Sequence, residues 1–388
     1  MSTETLEARI LTGGQAVAEA MRQIDPDVVP AYPITPQTPM IQGYAAFVAQ
    51  GRAHGELVDV ESEHSAMSAA IGSALAGART ITATSSQGLA LMAEVVYIAA
   101  SMRAPVVMAV GNRALSGPIN IHCDHSDSML IRDSGVVQLF AENAQEAYDL
   151  MVMAPRLAEH PDVLLPVLVC QDGFTITHSA EPVVLLHDEQ VREFVGEYRI
   201  PNALLDVGRP TTQGPFAMPD YYFELRHQQL AAMQNALEVF DELAVEFEEL
   251  SGRRYCTLER YALDGAEHVI VCLGSSGGTV KDVVDELRGE GERVGLLEIR
   301  SFRPFPKEWV RVALRGARCV SVLDRADSPG GAPPLYAEVA AARDGVVEVR
   351  SYVYGLGGRD LHPEDVKRIF HGEHAGGYLG LRGEPCHA

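Results

Sequence analysis

A carboxylate, Glu63, follows a predicted strand and begins a predicted helix of small residues. The helix is expected over 65–76, and its Ser, Ala and Gly residues would let a ligand ring or another backbone approach closely. A carboxylate at this place could share a proton with a basic ring nitrogen. The residues alone favour a plainer role, in which Glu63 caps the helix and interacts with its dipole.

Two further polar residues follow predicted strands. Thr35 lies between the prolines of Tyr32 to Pro36, which fix the chain at the carboxyl end of a strand. Open α/β sheets bind ligands at this edge, so the hydroxyl could face a substrate, although a plain loop explains the prolines equally well. Arg113 follows the apolar strand predicted at 105–110, and a guanidinium there can bind a carboxylate through two parallel hydrogen bonds.

The loop that follows Asn112 contains several side chains that can bind metals. They are His122, Cys123, Asp124, His125 and Asp127. Their spacing matches no structural zinc pattern, so a loop held by hydrogen bonds is favoured over a metal site. A Cys123–His125 nucleophilic pair is favoured less, because nothing in the sequence identifies an orienting third group or an oxyanion hole. We therefore predict that this chain binds no metal by itself.

A glycine-rich turn, 274–278, joins a predicted strand to a predicted helix. Backbone N–H groups and the helix dipole at such a turn can hold an anion. The turn matches neither the dinucleotide-binding pattern nor the P-loop, since the Lys-Ser/Thr pair of the P-loop is missing. A tight turn is therefore favoured, and nucleotide or coenzyme A binding stays an alternative.

Helix-length segments and apolar strands alternate in both halves of the chain. This alternation is typical of parallel sheets covered on both faces. It runs to about residue 180 and begins again after 255. The intervening residues, 181–254, are irregular and Pro-rich at first, and then form a long helix over 221–250 whose acidic face is expected to be solvated. We predict an α/β protein with domains at 1–180 and 255–388, connected by 181–254.

The composition excludes several classes of protein. The 388 residues are 47% hydrophobic and 22% charged, as in folded two-domain proteins. A net charge of −22 disfavours nucleic acid and anionic membranes as partners, and no apolar run is long enough to span a membrane. Six dispersed cysteines without a CxxCxxC run indicate neither a disulfide framework nor a cluster of this chain's own. With no signal peptide, a cytoplasmic location is expected.

Together, these motifs resemble the alpha subunit of pyruvate and related 2-oxoacid:ferredoxin oxidoreductases. The matching stretches cover nearly the whole chain in the same order. They include AYPITPQTP (31–39), ESEHSAMSAAIGSALAGART (61–80), TSSQGLALMAE (84–94), GNRALSGPINIHCDHSD (111–127), RPTTQGP (209–215), LGSSGGTVKD (273–282) and YGLGGRD (354–360). The resemblance implies a thiamine-enzyme pyrimidine-binding domain at 1–180. It also implies a transketolase C-terminal-like domain at 255–388, mainly for assembly.

The resemblance also implies roles for individual residues. Glu63 matches the carboxylate that hydrogen-bonds the pyrimidine ring of thiamine diphosphate, and Thr35 and Arg113 match positions that bind the 2-oxoacid. The residues expected at the cofactor are Glu63, Tyr32, Pro33, Ser86 and Gln87. The residues expected in a substrate loop are Asn112, His122, Cys123, Asp124 and His125.

The GDG…N pattern that holds diphosphate and Mg²⁺ in thiamine enzymes is absent from this sequence. The resemblance therefore implies a beta subunit that carries the diphosphate and Mg²⁺. It further implies a gamma subunit and a delta subunit with 4Fe-4S clusters. Electrons would pass to ferredoxin or NAD, and coenzyme A would accept the acyl group.

Pyruvate is the expected 2-oxoacid. Many relatives have Trp-Asn where this chain has His122-Cys123, so phenylglyoxylate, a branched 2-oxoacid or oxalate are alternatives. A 2-oxoglutarate substrate is disfavoured because an RGGPSTG-type segment is missing. Two other classes of function also stay open, a non-catalytic α/β scaffold subunit and a coenzyme A- or nucleotide-binding ligase subunit.

Overall fold

The computed structural model describes residues 8–345 and 347–382, so residues 1–7, Val346 and 383–388, including Cys386, lie outside it. The first elements are β1 (Ala8–Thr12), α1 (Gly13–Ile24), β2 (Val28–Ala31), α2 (Thr38–Ala49), β3 (Glu56–Asp59), α3 (Glu63–Ala76), β4 (Thr80–Thr84), α4 (Ser86–Ser101), β5 (Val106–Asn112), α5 (Ser126–Leu130), β6 (Val137–Phe140), α6 (Ala144–Glu159) and β7 (Val167–Asp172). The middle of the chain contains β8 (Ala180–Val184), α7 (Asp188–Val195) and α8 (Pro219–Ser251). The last elements are β9 (Leu258–Tyr261), β10 (His268–Cys272), α9 (Ser276–Gly289), β11 (Val294–Ile299), β12 (Ser301–Arg303), α10 (Lys307–Ala313), β13 (Cys319–Asp324), α11 (Pro334–Ala342), β14 (Glu348–Val353), α12 (Pro363–Phe370) and β15 (Gly377–Tyr378).

The first large sheet has the strand order β12-β6-β7-β5-β4-β2-β3. All its strands are parallel except β12. The central strands β4 and β5 are buried along their whole length, as their apolar sequences predict for a covered parallel sheet. Strand β3, the next strand along the chain, lies on one side of β2, and β4 lies on the other side of β2. The strand order therefore reverses at β2, and ligands of open α/β sheets bind at such a reversal.

Local sequence signals determine where α3 begins and ends. The Ser62 hydroxyl caps the helix by accepting the N–H of Ser65 at 3.3 Å. Gly77 ends it with a left-handed φ of 106°, a conformation that favours glycine. Between them, Ala66, Ala70 and other small residues face inward, so α3 packs closely on the sheet and on α4.

The second large sheet has the order β15-β14-β13-β10-β11-β9, and only its edge strand β9 is antiparallel within the described residues. The two halves of the chain are joined by more than a linker. Strand β12, which follows the second half's β11, pairs with β6 at the edge of the first sheet. Phe140 and Phe302 pack together in one apolar cluster that combines side chains from both halves. The predicted α/β class is confirmed.

Residues 181–254 are partly regular. Strand β8 pairs with β1, and α7 packs on α1, so both elements belong to the first half. The long helix predicted at 221–250 is observed as α8, and the residues between α7 and α8 form no helix or strand. Most of the acidic face of α8 is exposed, but Asp241 accepts hydrogen bonds from the backbone and side chain of Thr257. The boundaries at 180 and 255 stay a prediction.

No helix within 8–345 and 347–382 has both the length and the apolar character that a membrane crossing needs. The five cysteines in the same ranges, Cys123, Cys170, Cys256, Cys272 and Cys319, are unpaired thiols.

Candidate functional site

Loops from three adjacent strands of the first sheet meet at its carboxyl edge. A Cβ built on Gly111 at the end of β5 would lie 3.2 Å from both Pro36, in the loop after β2, and the hydroxyl of Ser85, after β4. The residues predicted to bind cofactor and substrate lie in these loops and at the start of α3. The fold therefore brings the segments that carry Thr35, Glu63, Gln87 and Arg113 to one edge of the sheet, and the roles of these residues stay a prediction.

Glu63, the first residue of α3, lies against the first turn of α4. A Cβ built on Gly88 would lie only 2.7 Å from the Glu63 Oε1 and 2.5 Å from the Thr84 hydroxyl. The Glu63 side chain is buried, and it takes no part in the hydrogen bonds that its neighbours Ser62 and Ser65 make with each other. The missing side chain at Gly88 thus leaves room for the carboxylate at the strand ends.

Several polar atoms at the ends of β2 and β4, or in the segments that follow these strands, are buried and have no hydrogen-bonding partner among the described residues. They are the Gln37 Oε1, the Thr84 Oγ1, the Ser85 Oγ and one amide atom of Gln87. A buried polar group without a partner costs about 1–3 kcal/mol, so these atoms indicate a polar ligand. A carboxylate, hydroxyls and amide groups suit a flat ring with both donors and acceptors, such as the aminopyrimidine of thiamine diphosphate.

Ser86, predicted to bind cofactor, has a structural role in the turn before α4. Its φ of 49° is left-handed, which costs a residue with a side chain about 1–2 kcal/mol. The turn is held because the Ser86 N–H donates to Asp127 at 2.9 Å and the Ser86 hydroxyl donates to the carbonyl of Ala114 at 2.6 Å. The Ser86 hydroxyl also lies 2.7 Å from the Gln87 Oε1, so Ser86 holds Gln87 in place, and of the two amide atoms of Gln87 only the Nε2 has no partner among the described residues.

Arg113 is brought next to Thr35. Its guanidinium donates to the carbonyl oxygens of Thr35, at 3.0 Å, and Asn120, at 2.9 Å, and its side chain is buried. Both partners are neutral, so the positive charge stays available for the carboxylate of a bound molecule. Thr35, Tyr32 and Pro33 are exposed on the loop after β2, at the rim of the site.

Asp127 is a residue whose importance the sequence did not show. Its carboxylate accepts hydrogen bonds from Asn112 Nδ2 at 2.8 Å and from the backbone N–H groups of Ser86, Arg113 and Ser128. Burial raises the pKa of Asp127 to about 6, against the opposing effect of these hydrogen bonds. Asn112, predicted to lie in the substrate loop, uses its amide nitrogen in this network, while its Oδ1 has no partner among the described residues.

Two residues of the predicted substrate loop face the second half of the chain. The exposed His122 packs against the ring of Phe174 with a centroid distance of 4.9 Å, and its Cβ lies close to Gly358. Asp124 accepts the N–H of Gly357 at 3.3 Å. The turn at 355–358, in the second half of the chain, therefore packs against the predicted substrate loop and supports it.

The other two loop residues are buried in an ion-pair network. Potential ligand atoms of Cys123, His125 and Asp172 lie within 4.8 Å of one another. However, His125 Nε2 hydrogen-bonds Asp172 at 2.7 Å, and the Arg325 guanidinium pairs with the other Asp172 oxygen at 2.7 Å. Arg325 thus takes the place beside Asp172 that a metal cation would need. That the chain binds no metal stays a prediction.

The charges in this network are consistent with an ion pair. Burial alone would raise the pKa of Asp172, but the Arg325 guanidinium and His125 hold it well below its usual range. Burial raises the pKa of the Cys123 thiol well above its usual value, so the thiol is neutral and a poor metal ligand or nucleophile.

The glycine-rich turn before α9 holds an anion that the chain itself supplies. Asp172 accepts hydrogen bonds from the Ser275 N–H at 3.2 Å and the Ser275 hydroxyl at 2.5 Å. A Cβ on Gly274, whose φ is 65°, would lie 3.2 Å from the same carboxylate. Because Asp172 fills the turn, the geometry argues against nucleotide or coenzyme A phosphates at this position.

The fold is an open, largely parallel α/β sheet with a buried carboxylate, Glu63, at its carboxyl edge. Residues 19–244 match the family described as pyruvate flavodoxin/ferredoxin oxidoreductase, thiamine diphosphate-binding. Residues 266–366 match core domain II of pyruvate:ferredoxin oxidoreductase. The chain belongs to the pyruvate:ferredoxin oxidoreductase family, which confirms the predicted relationship, and it is an oxidoreductase component.

Several relatives are similar over more than nine-tenths of their length. The chain is 56% identical to pyruvate synthase subunit PorA of Thermotoga maritima, over 97% of this chain and 99% of the relative. It is 50% identical to PorA of Methanocaldococcus jannaschii, over 94% of each chain. It is 40% identical to ketoisovalerate oxidoreductase subunit VorA of Pyrococcus horikoshii, over 93% and 92%.

The fold is also similar to a solved 2-oxoglutarate:ferredoxin oxidoreductase from Magnetococcus marinus, with 2-oxoglutarate, coenzyme A and succinyl-CoA bound. The TM-score is 0.76 at 22% identity, over 95% of this chain and 66% of that chain. Because the sequence identity is this low, the structural similarity supports the assignment of the fold alone.

Proposed function

We propose that this chain is the pyrimidine-binding subunit of a thiamine diphosphate-dependent enzyme that oxidises pyruvate to acetyl-coenzyme A and CO₂. The observation that carries the proposal is the buried Glu63 carboxylate beside Gly88 and Thr84, at a sheet edge where further buried polar atoms have no partner among the described residues. When bound, thiamine diphosphate supplies the carbanion chemistry that releases CO₂ from a 2-oxoacid. Magnesium and the diphosphate would be held by a partner subunit.

Glu63 would hydrogen-bond a ring nitrogen of the pyrimidine and promote proton removal from the cofactor. The carboxylate is suited to this task because it is buried, is in contact with the strand ends and is not used by its neighbours. Gln37, Thr84, Ser85 and Gln87 would orient the ring, since each has a buried polar atom to offer.

Arg113 would bind the carboxylate of the 2-oxoacid, with Thr35 beside it at the rim. Its guanidinium is already oriented by two carbonyl oxygens, so little side-chain freedom would be lost on binding. Pyruvate is supported because the two PorA relatives are 56% and 50% identical, whereas VorA is 40% identical. Cys123 is buried and His122 is exposed, so we assign any effect of this unusual pair on substrate choice to His122.

The partners we propose are a beta subunit with the diphosphate and Mg²⁺ site, a gamma subunit and a delta subunit with 4Fe-4S clusters. Ferredoxin would be the electron acceptor and coenzyme A the acyl acceptor. The similar proteins are named as subunits, which supports a multi-subunit enzyme. We further propose a cytoplasmic location, for which the unpaired thiols offer support.

The experiment is an anoxic assay of the complex purified from its native source. Reduction of a viologen dye would be measured with coenzyme A and each of pyruvate, 2-oxoisovalerate, phenylglyoxylate, oxalate and 2-oxoglutarate. We expect pyruvate to give the highest kcat/KM. An intact complex that contains thiamine diphosphate but reduces the dye with none of them would support a scaffold subunit instead.

A further inference from the structure

We infer that Asp127 is a positioning residue that fixes Arg113, Asn112 and the Ser86 turn relative to one another. The inference rests on the proposed function, because it concerns how the substrate side of that same site is held. Asp127 lies in the short helix α5, in the connection that follows β5.

The carboxylate joins three separate segments of chain. One oxygen accepts the N–H of Ser86 at 2.9 Å and the N–H of Arg113 at 3.0 Å. The other accepts Asn112 Nδ2 and the N–H of Ser128, both at 2.8 Å. The start of α4, the end of β5 and α5 are therefore held by a single side chain that is completely buried.

Both sides of the site depend on this arrangement. Ser86 has a left-handed backbone, and its N–H bond to Asp127 helps to hold that conformation in the turn from which Gln87 projects. Within the described residues, the Arg113 side chain hydrogen-bonds only the loop carbonyls of Thr35 and Asn120, so the backbone hydrogen bond of Arg113 to Asp127 helps to fix the position of the guanidinium. A shift of Asp127 would move the cofactor side and the substrate side together.

A neutral amide cannot replace the carboxylate without loss. All four groups around Asp127 are N–H donors, and an amide has one accepting oxygen and one donating nitrogen. In Asp127→Asn, the amide nitrogen would therefore oppose one pair of donors, either Ser86 and Arg113 or Asn112 and Ser128.

The matched control is Asp149→Asn, in α6. Asp149 is also completely buried, and it accepts hydrogen bonds from Arg253 at 2.6 and 2.7 Å and from the Tyr255 hydroxyl at 2.5 Å. Tyr255 packs against the apolar cluster that contains α1 and α6, which is separate from the cluster of α3 and α4. The Asp149→Asn variant therefore loses a buried carboxylate but keeps the contacts of Arg113.

The test is made on the whole purified complex, with kcat, KM for pyruvate, bound thiamine diphosphate and Tm measured for each variant. We expect Asp127→Asn to lower kcat/KM about 100-fold, mostly through KM, with cofactor still bound, since a displacement of about 1 Å can have an effect of this size. Asp149→Asn should lower Tm but leave KM within about twofold. A variant at Asp127 whose Tm falls like that of the control while KM stays unchanged would overturn the inference.

The wild-type complex provides a second measurement that does not depend on how well the variant folds. Protonation of Asp127 would place a hydrogen among four donors, so KM for pyruvate should rise as the pH falls through about 6. The titratable groups facing Asp127 are the thiols of Cys123 and Cys170, and burial raises the pKa of both, so they stay neutral in this range. A KM that is constant from about pH 7 to 5.5 would overturn the inference. A complex with bound cofactor and no turnover of any 2-oxoacid would overturn the proposed function as well.

Discussion

The contact between Gly88 and Glu63 allows the carboxylate that we propose to be catalytic to be moved without being removed. In Gly88→Ala the new methyl group would lie 2.7 Å from the Glu63 Oε1, and ordinary van der Waals contact begins at 3.4 Å. The Thr84 hydroxyl, 2.5 Å away, belongs to a buried central strand that cannot retreat. The flexible Glu63 side chain must therefore rotate away by about 0.7 Å or more.

A displacement of this size should lower kcat by about 10- to 100-fold, because proton transfer needs the donor and acceptor within hydrogen-bonding distance. The free energy of unfolding should also fall by about 1–3 kcal/mol, because the new methyl group overlaps the Thr84 hydroxyl as well. The assay is pyruvate-dependent dye reduction by the purified complex, with Tm and bound thiamine diphosphate measured on the same samples.

The control is Gly289→Ala, at the end of α9, where an added Cβ meets nothing within 4 Å. It should leave kcat unchanged. If Gly88→Ala also keeps kcat within about twofold of the wild type, the position of the Glu63 carboxylate does not matter for turnover, and the reasoning is refuted.

Two further substitutions probe the substrate side and the connection between the two halves. Arg113→Ala should lower kcat/KM for pyruvate about 10- to 100-fold through loss of a charge-assisted contact, and steady-state kinetics that match the wild type would exclude Arg113 from the site. Arg325→Met should lower the free energy of unfolding by about 3–5 kcal/mol, because it leaves the Asp172 carboxylate buried without its cation. Denaturant unfolding of the Arg325→Met variant measures this loss, and a midpoint equal to that of the wild type would contradict the prediction.

The sequence predicted the parts of the site that depend on local order along the chain. Glu63 begins a helix after one strand and Arg113 directly follows another, and parallel strands bring their carboxyl ends to one edge. Apolar runs such as β5 identified the covered sheet, and the long helix α8 was found within two residues at each end.

Contacts between distant segments could not be predicted in this way. Asp172 and Ser275 are 103 positions apart, and the glycine-rich turn alone does not show that a carboxylate of the same chain fills it. The pairing of β12 with β6 has no local signal either, since three residues are too few to show a period. Asp127 was grouped with possible metal ligands because its donors become visible only when three segments are placed around it.

The central claim, that Glu63 promotes proton removal from thiamine diphosphate, is tested most directly by hydrogen–deuterium exchange at the thiazolium C2 of the bound cofactor. The exchange rate would be measured for the wild-type complex and for Glu63→Gln with equal amounts of cofactor bound. Glutamine keeps the size of the side chain but cannot share a proton in the same way, so exchange should slow by about 100-fold or more. An exchange rate equal to that of the wild type, with the cofactor fully bound, would contradict the account.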